Sequence, residues 1–244
     1  MIGNVTALWR YPASSMAGER LDEVAIGPRG VEGDRLFGIV DAKTGDIARP
    51  DGRDPRWPKV AQISARLTFS GGLEIATPDS PWLSAPGMEA DDLASDFLGF
   101  RVSIRPLTGE HSVATAGPLA DARYVKAPVH LITTASLKQL KALHPEGNPD
   151  QRRFRPNIVI DMAEVEGRFP ETEWIGRRLT IGEIELSIAE PCRRCGFTIQ
   201  AQIGIDYDPN ILRQLVRHND HNIGVYCTVD RPGRLLQDDE MRLI

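Results

Sequence analysis

The sequence predicts a mainly β, barrel-like protein with a few short helices. Its 18 prolines and 22 glycines divide the chain into many short segments, most of them rich in β-branched and aromatic residues. Only three segments show helical periodicity instead. Three helices among about a dozen strands do not give the regular alternation of strand and helix that a Rossmann fold or an eight-stranded α/β barrel requires.

The predicted strands lie between clear turn signals. Residues 43–46 and 70–72 have the composition of hairpin turns. The segments predicted to be extended are 5–11, 36–41, 60–69, 72–76, 101–106, 128–132, 157–161, 179–190 and 223–229.

Each predicted helix has its own boundary signal. Residues 90–98 are followed by Gly99, a residue suited to end a helix. Residues 134–143 open with Thr134, an N-cap signature, and residues 209–218 follow Asp208, a capping residue that precedes a first-turn proline. The polar stretch 107–127 is the predicted linker.

Composition excludes several classes of protein. The 244 residues include 29 Lys and Arg against 34 Asp and Glu, a net charge of −5, which argues against a nucleic-acid backbone binder. The start is not typical of a signal peptide, and no apolar run approaches the ~18 residues of a membrane helix. Three cysteines in so long a chain do not form a disulfide scaffold. We therefore expect a cytoplasmic protein without nucleic-acid or membrane partners.

Two of the three cysteines lie together, as Cys192 and Cys195, with Arg193 and Arg194 between them. Such a pair chelates zinc, exchanges as a dithiol or supplies one activated thiolate. A zinc site needs two more ligands, and His218 and the nearby His221 are poorly spaced for it, while the flanking residues look too extended for a thioredoxin-like motif. Two buried cysteines packed in a strand are a further alternative. The adjacent arginines favour an activated thiolate beside an anion site.

A second cluster, residues 151–158, places Arg152, Arg153 and Arg155 before Asn157 at the start of a strand. This arrangement makes a compact anion-binding edge, although a solvated run of charge has the same composition. Other candidate residues, each open to an ordinary structural role, are Arg35 and Arg49 on neighbouring strands and Thr133, Thr134 and Ser136 at a helix start. Together these residues suggest a pocket for a phosphorylated cofactor that carries a soft metal.

Short motifs occur along nearly the whole chain in a fixed order and spacing. They are Tyr11-Pro12-x-x-Ser15-x-x-Gly18, Gly33-Asp34-Arg35-Leu36-Phe37, Ala48-Arg49, Phe154-Arg155-Pro156-Asn157, Trp174-Ile175-Gly176, Cys192-x-Arg194-Cys195-x-x-Thr198 and Asn222-Ile223-Gly224-Val225-Tyr226. Together these motifs resemble the MOSC family, named for the C-terminal domain of molybdenum cofactor sulfurases, and within it they look like the amidoxime-reducing component and the hydroxylaminopurine-resistance reductases. The resemblance implies an amino-terminal β-barrel-like domain over residues 1–120 and a MOSC β-barrel over residues 121–244.

The resemblance also implies roles. Cys195 is the predicted catalytic residue and metal ligand, because it matches the thiolate that binds molybdenum in the reducing members. The resemblance implies that Cys192 accompanies Cys195 without binding the metal, and Cys227 is expected in the core. The predicted ligands of the molybdenum cofactor (molybdopterin) are Ser15, Arg35, Arg49, Thr133, Ser136, Arg153, Arg155, Asn157, Arg194, Thr198 and Tyr226.

The family pattern implies a reductase of N-hydroxylated and other N-oxygenated small molecules. No iron–sulfur motif is found in the sequence, so the electrons are expected from a separate ferredoxin, flavodoxin or cytochrome b5-like protein. Two departures from the family pattern bear on this expectation. Ser14 stands where the reducing members usually have Lys. Residues 199–201, close to the predicted metal ligand, differ from those that the family often has there. Arg29, Lys43 and Arg49 are the cations that could compensate for the lysine. The alternatives are a sulfur carrier or cofactor-handling module that uses Cys195, and a degenerate member without cofactor.

Overall fold

The structure, a computed structural model, describes residues 2–51, 53–107, 127–164 and 167–244. The chain is mainly β within these residues, with three α-helices and four short 3-10 turns. The helices are α1 (Met88–Leu98), α2 (Thr134–Leu143) and α3 (Pro209–His218). The strands are β1 (Gly3–Arg10), β2 (Glu19–Leu21), β3 (Glu23–Gly27), β4 (Gly30–Val31), β5 (Phe37–Asp41), β6 (Ser64–Leu67), β7 (Leu73–Ala76), β8 (Leu83–Ala85), β9 (Val102–Pro106), β10 (Val129–Thr133), β11 (Ile158–Asp161), β12 (Arg178–Ile181), β13 (Ile184–Arg193), β14 (Asn222–Arg231), β15 (Gly233–Leu236) and β16 (Glu240–Leu243).

Seven strands close into a barrel in the order β11-β10-β14-β13-β12-β16-β1, and β1 pairs with β11 to complete the ring. The β10–β11 pair is parallel and the other pairs of the ring are antiparallel. Closure leaves no unpaired edge in the ring, and β2 continues the sheet outward from β1. The barrel thus takes one strand from the first ten residues and the other six from the second half of the chain.

The barrel interior is filled by aliphatic side chains. Val5 and Leu8 of β1, Leu131 of β10, Leu186 of β13 and Met241 of β16 are fully buried in one apolar cluster. Their positions alternate with more exposed residues along much of β1 and β13, as expected for strands with one face toward a core. The barrel is therefore a packed core without a central channel.

The amino-terminal half forms a second core beside the barrel. It consists of the β5–β9 pair, the three-stranded sheet β6-β7-β8 and helix α1, which pack around Ile39, Trp57, Ile63 and Ile104. Strand β15 leaves the second half of the chain to pair with β3, which itself pairs with β4. Each half of the sequence thus contributes strands to sheets of the other.

Helices α2 and α3 cover the outer face of the barrel. Leu140 of α2 and Ile211 and Leu215 of α3 share an apolar cluster with Phe154 and with Val159 of β11. The Asp208 side chain accepts a hydrogen bond from the main-chain N–H of Asn210 and so caps α3. This cluster supports the outside of the strands from which the candidate site is built.

The mainly β prediction and the existence of three helices are confirmed. Gly99 ends α1 with a φ of 83°, a left-handed conformation that glycine adopts without strain. The N-cap of α2 is Thr133 rather than Thr134, because the Thr133 side chain accepts from the Ser136 N–H. The predicted domain boundary at residue 120, and most of the predicted linker 107–127, lie outside the described residues.

Two of the predicted strands, and the flank of Cys195 that was expected to be extended, differ in detail. In the segment 60–69, the first three residues belong to a 3-10 turn (Pro58–Gln62) and only β6 is extended. The segment 179–190 is two strands, β12 and β13, separated by a turn at Gly182. The residues after Cys195 are a 3-10 turn (Gly196–Ile199) rather than a strand. Turns of this kind depend on tertiary contacts, which local composition does not encode.

Within the part of the chain that the structure describes, no helix has both the length and the apolar character needed to cross a membrane.

Candidate functional site

Cys195 lies exposed at the start of the 3-10 turn that follows β13. Its main-chain carbonyl accepts a hydrogen bond from the Thr198 N–H (3.1 Å), which closes the turn. Gly196 brings this turn against the amino-terminal half, since a methyl group built on Gly196 would lie 1.8 Å from the carbonyl oxygen of Asp51. The thiol is therefore held at the junction of the two halves of the chain.

Thr198 supplies a buried polar atom to the same turn. Its side chain has no exposed surface, and its Oγ1 has no hydrogen-bond partner among the described residues. Leaving a buried hydroxyl unsatisfied costs about 1–3 kcal/mol. Such an atom is retained most readily where a ligand supplies the missing partner.

Arg155 connects the thiol turn to the amino-terminal half. Its guanidinium donates to the carbonyl oxygens of Met16 and Ala13, the latter at 3.4 Å. It also lies over the Tyr11 ring (4.1 Å from Cζ to the centroid) and near the Phe197 ring (5.4 Å). Arg155 adopts a left-handed φ of 52°, which directs its side chain across this junction.

Ser15 and Arg35 lie on the other side of the junction. Both have left-handed backbone conformations, with φ values of 67° and 53°. Ser15 Oγ donates to the carbonyl oxygen of Ala48 (3.2 Å), and Arg49, the next residue, is exposed. Arg35 lies over the Tyr11 ring (5.5 Å) and pairs with Asp34. Strained residues that are not glycine cluster at functional sites, which supports a ligand-binding role for this loop.

His130 and Asn157 fix the conformation at Arg155. The Asn157 Oδ1 accepts from the His130 N–H (3.1 Å), while the His130 carbonyl accepts from the Asn157 N–H (2.8 Å). The His130 Nδ1 lies 3.3 Å from the Arg155 carbonyl, to which it donates. Burial, together with the positive charges of Arg194 and Arg35, lowers the pKa of His130 to about 3. The imidazole is therefore neutral and serves as a fixed hydrogen-bond donor.

Tyr226 packs beside His130, and Arg194 contacts Cys192. The Tyr226 ring lies 5.5 Å from the His130 ring, and Tyr226 shares a small buried cluster with Cys192. Arg194 donates to the Cys192 sulfur and to the Phe154 carbonyl (2.6 Å). Cys192 is thus a buried residue beneath the site, whereas Cys195 is exposed at its surface.

Two family models match the sequence along nearly its whole length. The MOSC domain matches residues 108–242, and the MOSC N-terminal beta barrel domain matches residues 2–115. The chain belongs to the MOSC domain family. This family is associated with molybdenum cofactor binding and with sulfurase-like proteins. A search of the curated proteins returns no match.

Solved structures also resemble this MOSC protein. The YUAD protein from Bacillus subtilis is 12% identical with a TM-score of 0.51, over 100% of this chain and 96% of that chain, and supports the fold alone. A hypothetical protein is 12% identical (TM-score 0.44; 100% and 67% of the two chains). YiiM from Geobacillus stearothermophilus is 11% identical (TM-score 0.37; 48% and 54%).

The residues at the junction fit a phosphorylated cofactor with a thiolate-binding metal. Cys195 offers an exposed sulfur, and Thr198 offers a buried hydroxyl that no other described residue hydrogen-bonds. Arg35 and Arg155 add two guanidinium groups beside the Tyr11 ring. A soft thiolate suits a soft metal, and arginines suit a phosphate. The zinc alternative finds no support, since the described residues bring no three His, Cys, Asp or Glu side chains together.

Two predicted cofactor ligands of this MOSC protein turn away from the site. Thr133 Oγ1 and Ser136 Oγ both donate to Glu171 Oε2 (2.8 and 2.5 Å), and all three side chains are fully buried. Glu171 Oε1 accepts from the Gly224 N–H (2.9 Å). Burial raises the pKa of Glu171, against the opposing effect of these hydrogen bonds. The protein's own carboxylate thus takes the position at the start of α2 that was predicted for a phosphate.

Arg153 is likewise committed to the protein interior. Its guanidinium donates to four main-chain carbonyls, those of Asn148 (2.8 Å), Thr198 (3.3 Å), Gln200 (3.4 Å) and Asp206 (2.6 Å). The side chain is buried, and four of its five N–H groups are used in this way, so it shapes the segment after Cys195. Main-chain carbonyls that bind a guanidinium leave no signal in the sequence, so the cluster of arginines alone indicated a cofactor ligand.

Asn157 is also occupied by the fold, as its Oδ1 serves His130 and its Nδ2 donates to the Trp9 carbonyl (3.4 Å). Sequence reasoning did not single out His130 or Glu171 at all. A histidine in an apolar strand and a glutamate in a polar segment carry no local signal. Only the packing of distant segments makes either residue part of the site's support.

Proposed function

We propose that this chain is a molybdenum-cofactor-dependent oxidoreductase that reduces N-hydroxylated and other N-oxygenated small molecules. The overall reaction converts an N-hydroxyl compound, two electrons and two protons into the amine and water. A separate electron-transfer protein, such as a ferredoxin, a flavodoxin or a cytochrome b5-like protein, supplies the electrons. The proposal is supported most by one juxtaposition: the exposed Cys195 thiol shares a junction with the strained Ser15 loop, through Arg155 and Phe197.

When bound, the cofactor supplies two-electron redox chemistry at its metal. Cys195 would hold the metal, and Thr198 Oγ1 would donate a hydrogen bond to the bound cofactor. Ser15, Arg35 and Arg155 would hold the phosphate, with Arg49 as a further exposed cation at the rim. The neutral His130 keeps Arg155 in its left-handed conformation and adds no charge of its own. The chain's part is thus to bind and orient.

Metal and pterin content tests this proposal. The full chain is expressed in a host that makes the cofactor, beside Cys195→Ala. We expect molybdenum close to one per chain in the wild type and a loss from the variant, with both proteins equally folded by circular dichroism. Zinc in place of molybdenum would overturn the proposal.

Turnover is a second test. With an artificial electron donor, the loaded protein is expected to reduce a hydroxylamine or an amidoxime. Activity that survives Cys195→Ser unchanged would show that another group holds the metal.

A sulfur-carrier function is the second candidate, and the exposure of Cys195 favours it. A carrier thiol must reach the active site of a donor enzyme, and Ser14 replaces a cation that the reducing members usually have. Intact mass after incubation with a cysteine desulfurase and cysteine distinguishes the two functions. A gain of one sulfur atom on wild-type protein and none on Cys195→Ala, together with no bound molybdenum, supports the carrier.

A further inference from the structure

Tyr11 occupies a central place that the proposed function does not use. Its ring is buried, and two guanidinium groups lie over it, those of Arg155 (4.1 Å) and Arg35 (5.5 Å). Both distances fall within the range of cation–π attraction. Two like charges repel each other, and a shared ring that attracts both offsets that repulsion and keeps both guanidinium groups beside Tyr11.

The position of the Tyr11 ring is fixed from several sides. The Tyr11 N–H donates to Asp34 Oδ1 (2.7 Å), and the Tyr11 carbonyl accepts from the Arg35 N–H (2.7 Å). Gly18 lies against the ring edge, where a methyl group would come within 2.4 Å of Cδ1. The main chain of Tyr11 thus binds the residues that present Arg35, while its ring contacts that arginine.

The same ring leads toward the thiol turn. Arg155 lies over Tyr11 and is also within 5.4 Å of the Phe197 ring centroid, two residues after Cys195. The guanidinium of Arg155 further donates to the carbonyl oxygens of Ala13 and Met16, which flank Ser15 and its neighbour Ser14. A continuous series of contacts, Tyr11–Arg155–Phe197, therefore runs from the Ser15 loop to the Cys195 turn.

We infer that Tyr11 is a positioning residue: its ring holds Arg35 and Arg155 together as one anion-binding pair for a phosphate group, and Phe197 extends that stack to Cys195. The inference rests on the proposed function, because it takes the Ser15 loop to be the phosphate site. It assigns the effect to the aromatic face of Tyr11 and not to its hydroxyl. Leucine at this position would remove the attraction, whereas phenylalanine would keep it.

The test measures inorganic phosphate binding by calorimetry, on the full chain from a host that lacks the cofactor. Chloride at equal ionic strength corrects for screening. We expect Tyr11→Leu to weaken phosphate binding about tenfold, the loss of two cation–π contacts, and Tyr11→Phe to change it less than about twofold. Trp82→Leu is the matched control, since Arg66 Cζ lies at the same 4.1 Å from the centroid of the Trp82 ring, away from the Cys195 junction. This control is expected to bind phosphate like the wild type.

Cofactor content after expression in a competent host is the second readout, and Tyr11→Leu should lose molybdenum while Tyr11→Phe retains it. If Tyr11→Leu does not fold, Phe197→Leu decides the matter, because it removes the other ring from Arg155 and should weaken phosphate binding about threefold. Unchanged phosphate affinity in the folded variant would overturn the inference, as would equal losses in Tyr11→Phe and Tyr11→Leu.

Phosphate binding by the wild type distinguishes a failure of the proposed function from a failure of the role of Tyr11. If it binds no phosphate beyond the chloride control, the phosphate site in the proposed function is itself wrong, and the inference fails with it. If the wild type binds phosphate and the ring variants bind equally well, the proposed site stands and only the role of Tyr11 is wrong.

Discussion

Gly196 packs directly against the carbonyl oxygen of Asp51, so that even one methyl group at this glycine would come within 1.8 Å of it. The contact joins the turn that carries Cys195 to the amino-terminal half. A side chain here must displace main-chain atoms, which are less able to move than a flexible side chain. The location of the Cys195 thiol therefore depends on residue 196 having no Cβ atom.

Gly196→Ala is expected to lower the free energy of unfolding by about 1–3 kcal/mol through overpacking and to lower the molybdenum content of the folded protein. Urea denaturation and metal analysis measure the two effects. Gly27→Ala is the control, because the space around Gly27 is open and its φ is not left-handed. Equal behaviour of the two variants would contradict the contact.

We expect a substitution at Thr198 to lower cofactor binding without lowering the stability of the protein. Thr198→Val should raise the stability of the cofactor-free protein by up to about 1–3 kcal/mol, because it removes a buried hydroxyl that has no hydrogen-bond partner among the described residues. The same variant should retain less cofactor after expression in a competent host.

Thr133→Val is the matched substitution, since Thr133 Oγ1 accepts from Ser136 and donates to Glu171. It is expected to cost about 1–3 kcal/mol of stability. Its cofactor content per folded chain should remain that of the wild type. Reversed results for these two threonines would show that the cofactor lies beside α2 instead.

The buried His130 predicts a specific loss of stability in acid. Its pKa is lowered from 6.5 to about 3 in the folded state, so between these values the unfolded chain binds one more proton. The contribution to stability is full above pH 6.5 and is lost as the pH falls toward 3. His130→Asn, which retains a donor for the Arg155 carbonyl, should have a shallower decline of unfolding free energy between pH 6.5 and 4.

Denaturation curves at several pH values measure this slope. His218→Asn serves as the control, since His218 is exposed at the end of α3. A wild-type slope in His130→Asn would mean that other groups account for the acid sensitivity.

Arg153 and its neighbour Arg152 should behave differently in stability measurements. Arg153→Met removes a buried donor from four carbonyls, and we expect it to cost about 3 kcal/mol or more. Arg152→Met removes a half-exposed residue paired with Asp150, for which about 1 kcal/mol is expected. Thermal or urea unfolding measures the stability of both variants. If Arg153→Met were as stable as the wild type and bound phosphate weakly, Arg153 would be a ligand of the phosphate after all.

The sequence by itself was sufficient for the local features. Asp208 before Pro209 marks the start of α3, and Gly99 marks the end of α1, because capping and left-handed conformations depend on one or two residues. The scarcity of helical periodicity predicted the β character. The motif around Cys195 pointed to the residue that the structure leaves exposed at the junction.

The tertiary structure alone decided which polar side chains face the site. Arg155 reaches Ala13 across 142 positions of the chain, while Thr133 and Ser136 are turned inward by Glu171, more than 30 residues away. A hydroxyl or guanidinium that is buried must find partners, and the partners available depend on which distant segments pack beside it. Residue type and spacing therefore indicated the chemistry of the site, but only the packing of the two halves determined which of these residues can serve it.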